Sequence, residues 1–465
     1  MDRPKVGVLA LTLEFYERGG WGLREGREKF VREKLIPLLA RSAEVRFDRG
    51  LFTRQDVEET IHAFEADGVD VLIVVLLTYA PSLIAAPALK RTRLPIVVWN
   101  TQELFAVDAS YGDRELADNH GVHGTHDLCN VLVRASVPFD YVTGHADDAD
   151  AADKIDGAVR AGCAVSRLRR ARLGLIGYPF PGMGDFGLDT TQMAMTLGCA
   201  WEAIGIDAYH TRADKCDERD VAQLVTAYHD RYDVAADVTE DDLKDAARAE
   251  IALRSLVRNH RLDAYSYQFL AFGDDPRTQT LPFVAASRLL GEGVGFGGEG
   301  DLISAACSAM LHALQPPASF SEMFTIDFAG NAVLLSHMGE ASVAMARTDR
   351  KVPLVRRPEP IVPIRGNQLV LVPTFTPGEA TLTALTLTAG QRWRIIASRV
   401  TIEDFGPLDG LAVPHTKIRP SGDVRDFLTA YGKAGGPHHL AICFGDARAK
   451  LAAVACHLGA DYVEI

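Results

Sequence analysis

Cysteine is scarce and shows no pairing pattern. The seven residues, an odd number, are scattered between Cys129 and Cys456 with no Cys-x-x-Cys pair. That argues against a disulfide framework or a zinc ribbon and for reduced thiols in a cytoplasm. Basic blocks are missing too. The longest is the short Arg167–Arg172 cluster, and the whole chain carries a formal charge of -13, which makes nucleic acid and anionic membrane surfaces poor partners. Behind Met1-Asp2-Arg3-Pro4-Lys5 the apolar run is too short, and wrongly flanked, for a secretory signal. One uncharged stretch, Val71 to Leu89, has the length of a membrane span, but Pro81 and Pro87 interrupt it and its first half is β-branched. It reads as a buried strand followed by a turn and a helix. There is no Gly-x-Ser-x-Gly elbow, no reactive-cysteine signature and no Walker-type phosphate loop, so acyl-transfer and P-loop chemistries lose ground.

What is present is an ordinary globular composition: 465 residues, 47% apolar and 24% charged, with 40 Gly and 22 Pro. At roughly 150 residues per domain this suggests about three domains. The first part alternates short apolar runs (Lys5–Leu13, Ala43–Phe47, Val69–Leu77, Pro95–Asn100) with helical spacing (Leu23–Leu39, Arg54–Ala66), the pattern of an open, doubly wound parallel sheet. A charged helix over Asp147–Arg170 leads to a new strand, Arg172–Gly177, and α/β alternation restarts with helical runs Thr190–Ile204, Asp217–Tyr232 and Thr239–Asn259. Beyond Phe320 the texture becomes β-rich: Met323–Phe328, Ala332–His337, Gln368–Thr374, Ala380–Leu387 and Gln391–Thr401. Such spacing predicts an antiparallel sheet or small barrel. The chain ends helix, strand, helix, strand, from Asp423 onward.

The densest glycine cluster, Gly291 to Asp301, contains Gly295-x-Gly297-x-x-Gly300. It follows a helix end at Ala285–Leu290 and would set Glu299 against a pyrophosphate, so the dinucleotide reading is set aside. Small residues here let the backbone approach a ligand while placing Glu299 and Asp301 in a cavity; the plain alternative is a capping loop with a solvated glutamate. Glu322 lies just before one β run, His337 ends another, and His438-His439 open a third after Gly435-Gly436-Pro437. Because side chains alternate along a strand, one of that last pair is expected to face any given site. Two carboxylates with one or two imidazoles suit a Mn-like divalent ion better than structural zinc. A separate imidazole cluster, His120, His123 and His126, is interleaved with Gly121 and Gly124 and reads as loop histidines able to hydrogen-bond a polar ligand or to support the structure.

These residues carry a resemblance. The pattern Gly-Tyr-Gly-Phe-Gly-x-Glu-Gly-Asp appears as Gly293-Val294-Gly295-Phe296-Gly297-Gly298-Glu299-Gly300-Asp301, and Thr-Ser-Phe-x-Glu as Ala318-Ser319-Phe320-Ser321-Glu322. Gly-Ser-His-Met-x-Glu appears as Leu335-Ser336-His337-Met338-Gly339-Glu340, and Gly-Gly-x-His-His as Gly435 to His439. The chain resembles the L-arabinose isomerases and, more distantly, the L-fucose isomerases. Weaker matches, in the same order, are Asn100-Thr101-Gln102, Asn119–Gly124 and Val142-Thr143-Gly144-His145. The resemblance implies a flavodoxin-like α/β domain over 1–165, a second α/β domain carrying Glu299 over 166–318, and a β-rich domain with a small antiparallel barrel over 319–465. It implies a divalent ion, commonly Mn²⁺, with Co²⁺ or Mg²⁺ as substitutes, held by Glu299, Glu322, His337 and His439. Glu299 and Glu322 would move the proton of an aldose–ketose isomerisation. His123, Phe269 and Gln102 would contact sugar, His123 from a neighbouring subunit of a homo-trimer or homo-hexamer. The activity implied is L-arabinose to L-ribulose. Ala264–Leu270 departs from the usual Thr-Thr-Thr-Phe-Glu-Asp, which leaves D-galactose, L-fucose, D-arabinose or another pentose as alternative substrates, and a catalytically silent sugar-binding protein as a third reading.

Overall fold

The computed structural model describes residues 3–358 and 360–465; Met1 and Asp2, part of the segment read above for export features, lie outside them. The chain forms two compact units, one running to Arg167 together with Ala452–Gly459, the other comprising Leu168–Leu451 and Ala460–Ile465.

In the first unit, strands β1 (Lys5–Leu11), β2 (Glu44–Arg46), β3 (Val71–Leu76), β4 (Ile96–Asn100) and β5 (Asp140–Thr143) form a parallel sheet in the order β2-β1-β3-β4-β5. Its centre is apolar on both faces because helices cover both. Val6, Val8 and Ala10 join Val71, Ile73 and Val75 in one core cluster, whereas Leu9 and Leu11 join Leu72, Val74 and Leu76 in the other. That is the two-residue alternation of a strand. The helix Arg54–Ala66 begins at a reciprocal cap between Thr53 and Asp56. The helix expected over Leu23–Leu39 widens into a π turn at Val31–Leu35, just before Pro37, which has no N–H to return to the preceding turn. Among the described residues no helix is long and apolar enough to cross a membrane; Val71–Leu89 is β3, a 3₁₀ turn at Ser82–Ile84 and the start of the helix Ala86–Arg91.

The second unit opens with β6 (Arg172–Ile176), β7 (Ala200–Ile204), β8 (Tyr232–Val234), β9 (Ala264–Tyr267) and β10 (Gly295–Gly297). Four of these make a parallel sheet, β10-β9-β6-β7. The helical run expected over Thr190–Ile204 is corrected: the helix stops at Thr196 and β7 follows. Gly198, with a φ of +88°, turns the chain between them. Next come β11 (Ala318–Asp327), β12 (Ala332–Ser336), β13 (Val352–Arg356), β14 (Leu369–Leu371), β15 (Gly378–Thr388), β16 (Arg392–Ile402), β17 (His415–Pro420), β18 (His439–Phe444) and β19 (Asp461–Glu464). Six of them run β15-β18-β11-β12-β17-β16 and close on a β15–β16 pairing, a six-stranded antiparallel barrel with β19 added in parallel to β16. The segment Gln368–Thr374, read as part of the barrel pattern, instead supplies β14 to a separate sheet, β14-β13-β8.

Candidate functional site

Barrel register brings the first pair of groups together. Glu322 lies within β11 rather than before it, because that strand starts at Ala318. It is paired with His439 on β18 and with Ser336 on β12, so His337, one residue beyond Ser336, emerges on its other flank. Glu299 arrives from the glycine-rich segment between β10 and the helix Leu302–Leu314. It holds a left-handed backbone, φ +59°, unusual for a side chain with a Cβ, and its carbonyl accepts from the Phe180 N–H at 2.9 Å. The glycines are needed for contact. A Cβ at Gly297 would lie 2.1 Å from the Asp301 carbonyl oxygen, and one at Gly298 would stand 3.1 Å from the Nε2 atoms of both His337 and His439.

Glu299, Glu322, His438 and His439 offer ligand atoms within 4.8 Å of one another. His439 Nε2 lies 2.9 Å from Glu322 Oε1 and 3.6 Å from Glu299 Oε2. His337 Nε2 is 3.5 Å from Glu322 Oε1, so the sequence-derived set of Glu299, Glu322, His337 and His439 shares one locality. The expectation that only one of His438 and His439 could face it is corrected. His438 Nε2 reaches 3.7 Å from Glu299 Oε2, because β18 starts at His439 and strand alternation does not govern the loop residue before it.

Each of the three imidazoles is tied at Nδ1 by a carboxylate. Asp301 accepts from His439 at 2.9 Å, Glu340 from His337 at 2.5 Å, and Asp185 from His438 at 2.6 Å. The Nε2 atoms therefore face the Glu299–Glu322 space as lone-pair donors whenever the rings are neutral. Asp301 was expected in the cavity; it is buried, with Oδ1 capping the helix Leu302–Leu314 and Oδ2 on His439. Glu299 Oε2 is buried without a hydrogen-bond partner, and His439 Nε2, though 2.9 Å from Glu322 Oε1, is not aligned with it as a hydrogen bond, an arrangement that is costly unless a further group completes it. Burial by itself raises the Glu299 carboxyl, but the His438 and His439 imidazoles prevail and hold it at about 2. Burial likewise opposes charge on His439, yet Asp301, Glu299 and Glu322 push it well above the usual imidazole range. His337 follows the same logic, with burial outweighed chiefly by Glu340. Two carboxylates and up to three oriented imidazoles fit a hard or borderline divalent cation. A cavity of about 290 Å³ adjoins the cluster, with Glu299, His337, Phe269 and Tyr267 in its wall, at the small end of ligand pockets.

The remaining expected sugar contacts lie in the first unit. His123 is corrected from loop to helix, Val122–Arg134, and stacks on Tyr79 with centroids 4.8 Å apart. The glycines that suggested a loop serve packing instead: Cβ atoms at Gly121 and Gly124 would meet Leu76 at 2.5 and 2.7 Å. The Gln102 side chain donates to the Leu104 carbonyl at 2.8 Å. Sequence reasoning set His438 aside in favour of His439, met Tyr267 only as part of the divergent stretch Ala264–Leu270 and Glu340 only as a motif letter, and passed over Asp185.

The pattern of the L-arabinose isomerase central domain matches residues 187–316, and that of the L-arabinose isomerase C-terminal domain matches 317–460. The L-arabinose isomerase of Acidothermus cellulolyticus is 30% identical over 81% of this chain and 77% of its own length. That of Nocardioides sp. is 28% identical over 78% and 73%, and that of Thermotoga neapolitana 26% over 88% and 80%. Two matched domains that meet between Glu299 and Glu322, and relatives aligned along most of their length, place this chain, as a divergent member, in the L-arabinose isomerase family.

Proposed function

We propose that the protein is a divalent-metal-dependent aldose–ketose isomerase that converts L-arabinose to L-ribulose. The observation that carries the reading is the convergence of Glu299, Glu322, His337 and His439, with two of their buried polar atoms unsatisfied, beside a cavity of sugar size. Those four residues would hold the ion, Mn²⁺ by preference and Co²⁺ or Mg²⁺ otherwise, and His438 is a fifth donor at the rim. When bound, the ion would supply Lewis-acid stabilisation of the negative charge that develops on the sugar oxygens. The chain's own groups do the rest. One glutamate of the Glu299–Glu322 pair, as carboxylate, takes the C2 proton while the C2–H electron pair forms the C1–C2 double bond of a cis-enediolate. The proton of the C2 hydroxyl passes to O1, the other glutamate, in its carboxylic-acid form, gives its proton to C1, and the proton held by the first restores the second. Phe269 supplies an apolar wall against the sugar.

The same reading carries three domains, 1–165, 166–318 and 319–465, a cytoplasmic location, Gln102 as a further sugar contact, and a homo-trimer or homo-hexamer in which His123 meets the sugar of a neighbouring subunit. Light scattering on the purified protein tests the assembly. The deciding experiment is a panel of L-arabinose, D-galactose, L-fucose and D-arabinose, assayed for ketose with chelated protein and again after Mn²⁺ is restored. Ketose formed fastest from L-arabinose, and only with Mn²⁺, supports the proposal. Faster turnover of another aldose keeps the chemistry and changes the substrate. Sugar binding indifferent to chelator, with no ketose from any aldose, leaves a silent sugar-binding protein.

A further inference from the structure

Of the three carboxylates that anchor imidazoles, Glu340 alone is locked at its second oxygen by a buried side chain. Oε2 accepts from His337 Nδ1 at 2.5 Å, and the Tyr267 hydroxyl donates to Oε1. All three residues are buried, and all three also line the 290 Å³ cavity. Tyr267 belongs to the stretch Ala264–Leu270 that departs from the family pattern, and its ring is fixed by edge and tilted contacts with Phe272 and Phe296. A carboxylate with one free oxygen can swing about its terminal torsion. With both oxygens engaged by rigid rings it cannot.

We propose that Tyr267 and Glu340 form a positioning relay that fixes the His337 ring, with Nδ1 protonated and Nε2 aimed at Glu322, and so sets the protein's affinity for its divalent ion. This rests on the metal-dependent reading above. The relay runs from β9, in the parallel sheet, to the turn that follows β12 of the barrel. It therefore couples the wall of the sugar cavity to a ligand of the ion. Neither Tyr267 nor Glu340 touches the ion's place; each acts through His337.

The test uses full-length protein, stripped with chelator and titrated with Mn²⁺ alone by calorimetry. The electron paramagnetic resonance spectrum of bound Mn²⁺ and the metal-free melting point are recorded beside it. Tyr267→Phe, which removes one hydroxyl and keeps the ring packing, is expected to weaken Mn²⁺ binding about 10-fold and Glu340→Gln about 100-fold, the range found when the outer partner of a metal-bound histidine is lost. Both should alter the bound-Mn²⁺ spectrum. If Glu340→Gln fails to fold, Tyr267→Phe decides alone. A folded Tyr267→Phe that binds Mn²⁺ within twofold of the parent protein, with the parent spectrum, overturns the relay even if its melting point falls, since a purely structural role would do just that. Parent protein that takes up no Mn²⁺ overturns the metal-dependent reading itself, a different and separately visible failure.

Discussion

Two clusters of histidines, one in each compact unit, keep different company. In the first unit His120 Nε2 meets the Tyr16 hydroxyl at 2.6 Å and His123 lies flat on Tyr79, and burial pulls the His120 ring below its ordinary range. In the second, His337, His438 and His439 each give Nδ1 to a carboxylate and turn Nε2 elsewhere, His337 toward Glu322, His438 toward Glu299 and His439 toward both. At His120 burial, with a hydroxyl rather than a carboxylate hydrogen-bonded to the ring, favours the neutral imidazole. One anchored by a carboxylate at the far nitrogen is aimed, and the group it is aimed at can be a cation. The number of histidines in a segment therefore says less than what holds their outer nitrogens.

The contrast can be broken hardest at the acids. Glu299→Gln and Glu322→Gln should each fold and lower ketose formation by at least about 10²-fold, the lower bound for loss of a general acid or base; steady-state rates on the best aldose, with melting curves as control, check this. Near-normal turnover in either variant removes that residue from the chemistry. Asp301→Asn comes next. Asparagine caps a helix about as well as aspartate, so the melting point should hold while Mn²⁺ affinity drops roughly 10–100-fold as His439 loses its anionic anchor. Titration calorimetry reads it, and unchanged affinity would mean the anchor is ornamental. Gly298→Ala places a methyl 3.0 Å from Phe320 Cζ and 3.1 Å from two imidazole nitrogens. Overpacking of this kind costs about 1–3 kcal/mol, visible as a lower urea midpoint, and Mn²⁺ uptake should weaken with it. The smallest effect on the metal belongs to the first unit: His123→Ala gives up a ring pair worth about 0.5–1.5 kcal/mol and leaves Mn²⁺ affinity where it was. Weaker Mn²⁺ binding in that variant would erase the distinction between the two sets of histidines.

Much of this was legible because it is periodic or local. The strands of the first sheet announce themselves as apolar runs, and Arg54–Ala66 matches its predicted span to the residue. Glu299, Glu322, His337 and His439 could be gathered because each sits in a short motif. The rest depends on information that no window holds. Asp185 reaches His438 across 253 positions, with nothing near either residue to announce the pairing. Tyr267 looks like any strand aromatic until Glu340 is found against it. The error at Thr190–Ile204 arose from reading apolar spacing through Gly198, whose left-handed backbone ends the helix; the error at Gly121 and Gly124 was the reverse, glycines taken for a loop when they let a helix press on Leu76.

Closure of the six-stranded ring gives the cluster a protection that an open sheet would lack. With every strand flanked on both sides, none can slide past its neighbour without breaking two ladders, and a slip of one residue would turn His439 to the opposite face. The separation of acid and imidazole can thus change only in discrete jumps, each ruinous. Substitutions that retune the choice of sugar have to accumulate outside the barrel strands, in cavity walls such as Phe269 and Ile361 that lie clear of the Tyr267–Glu340 pair.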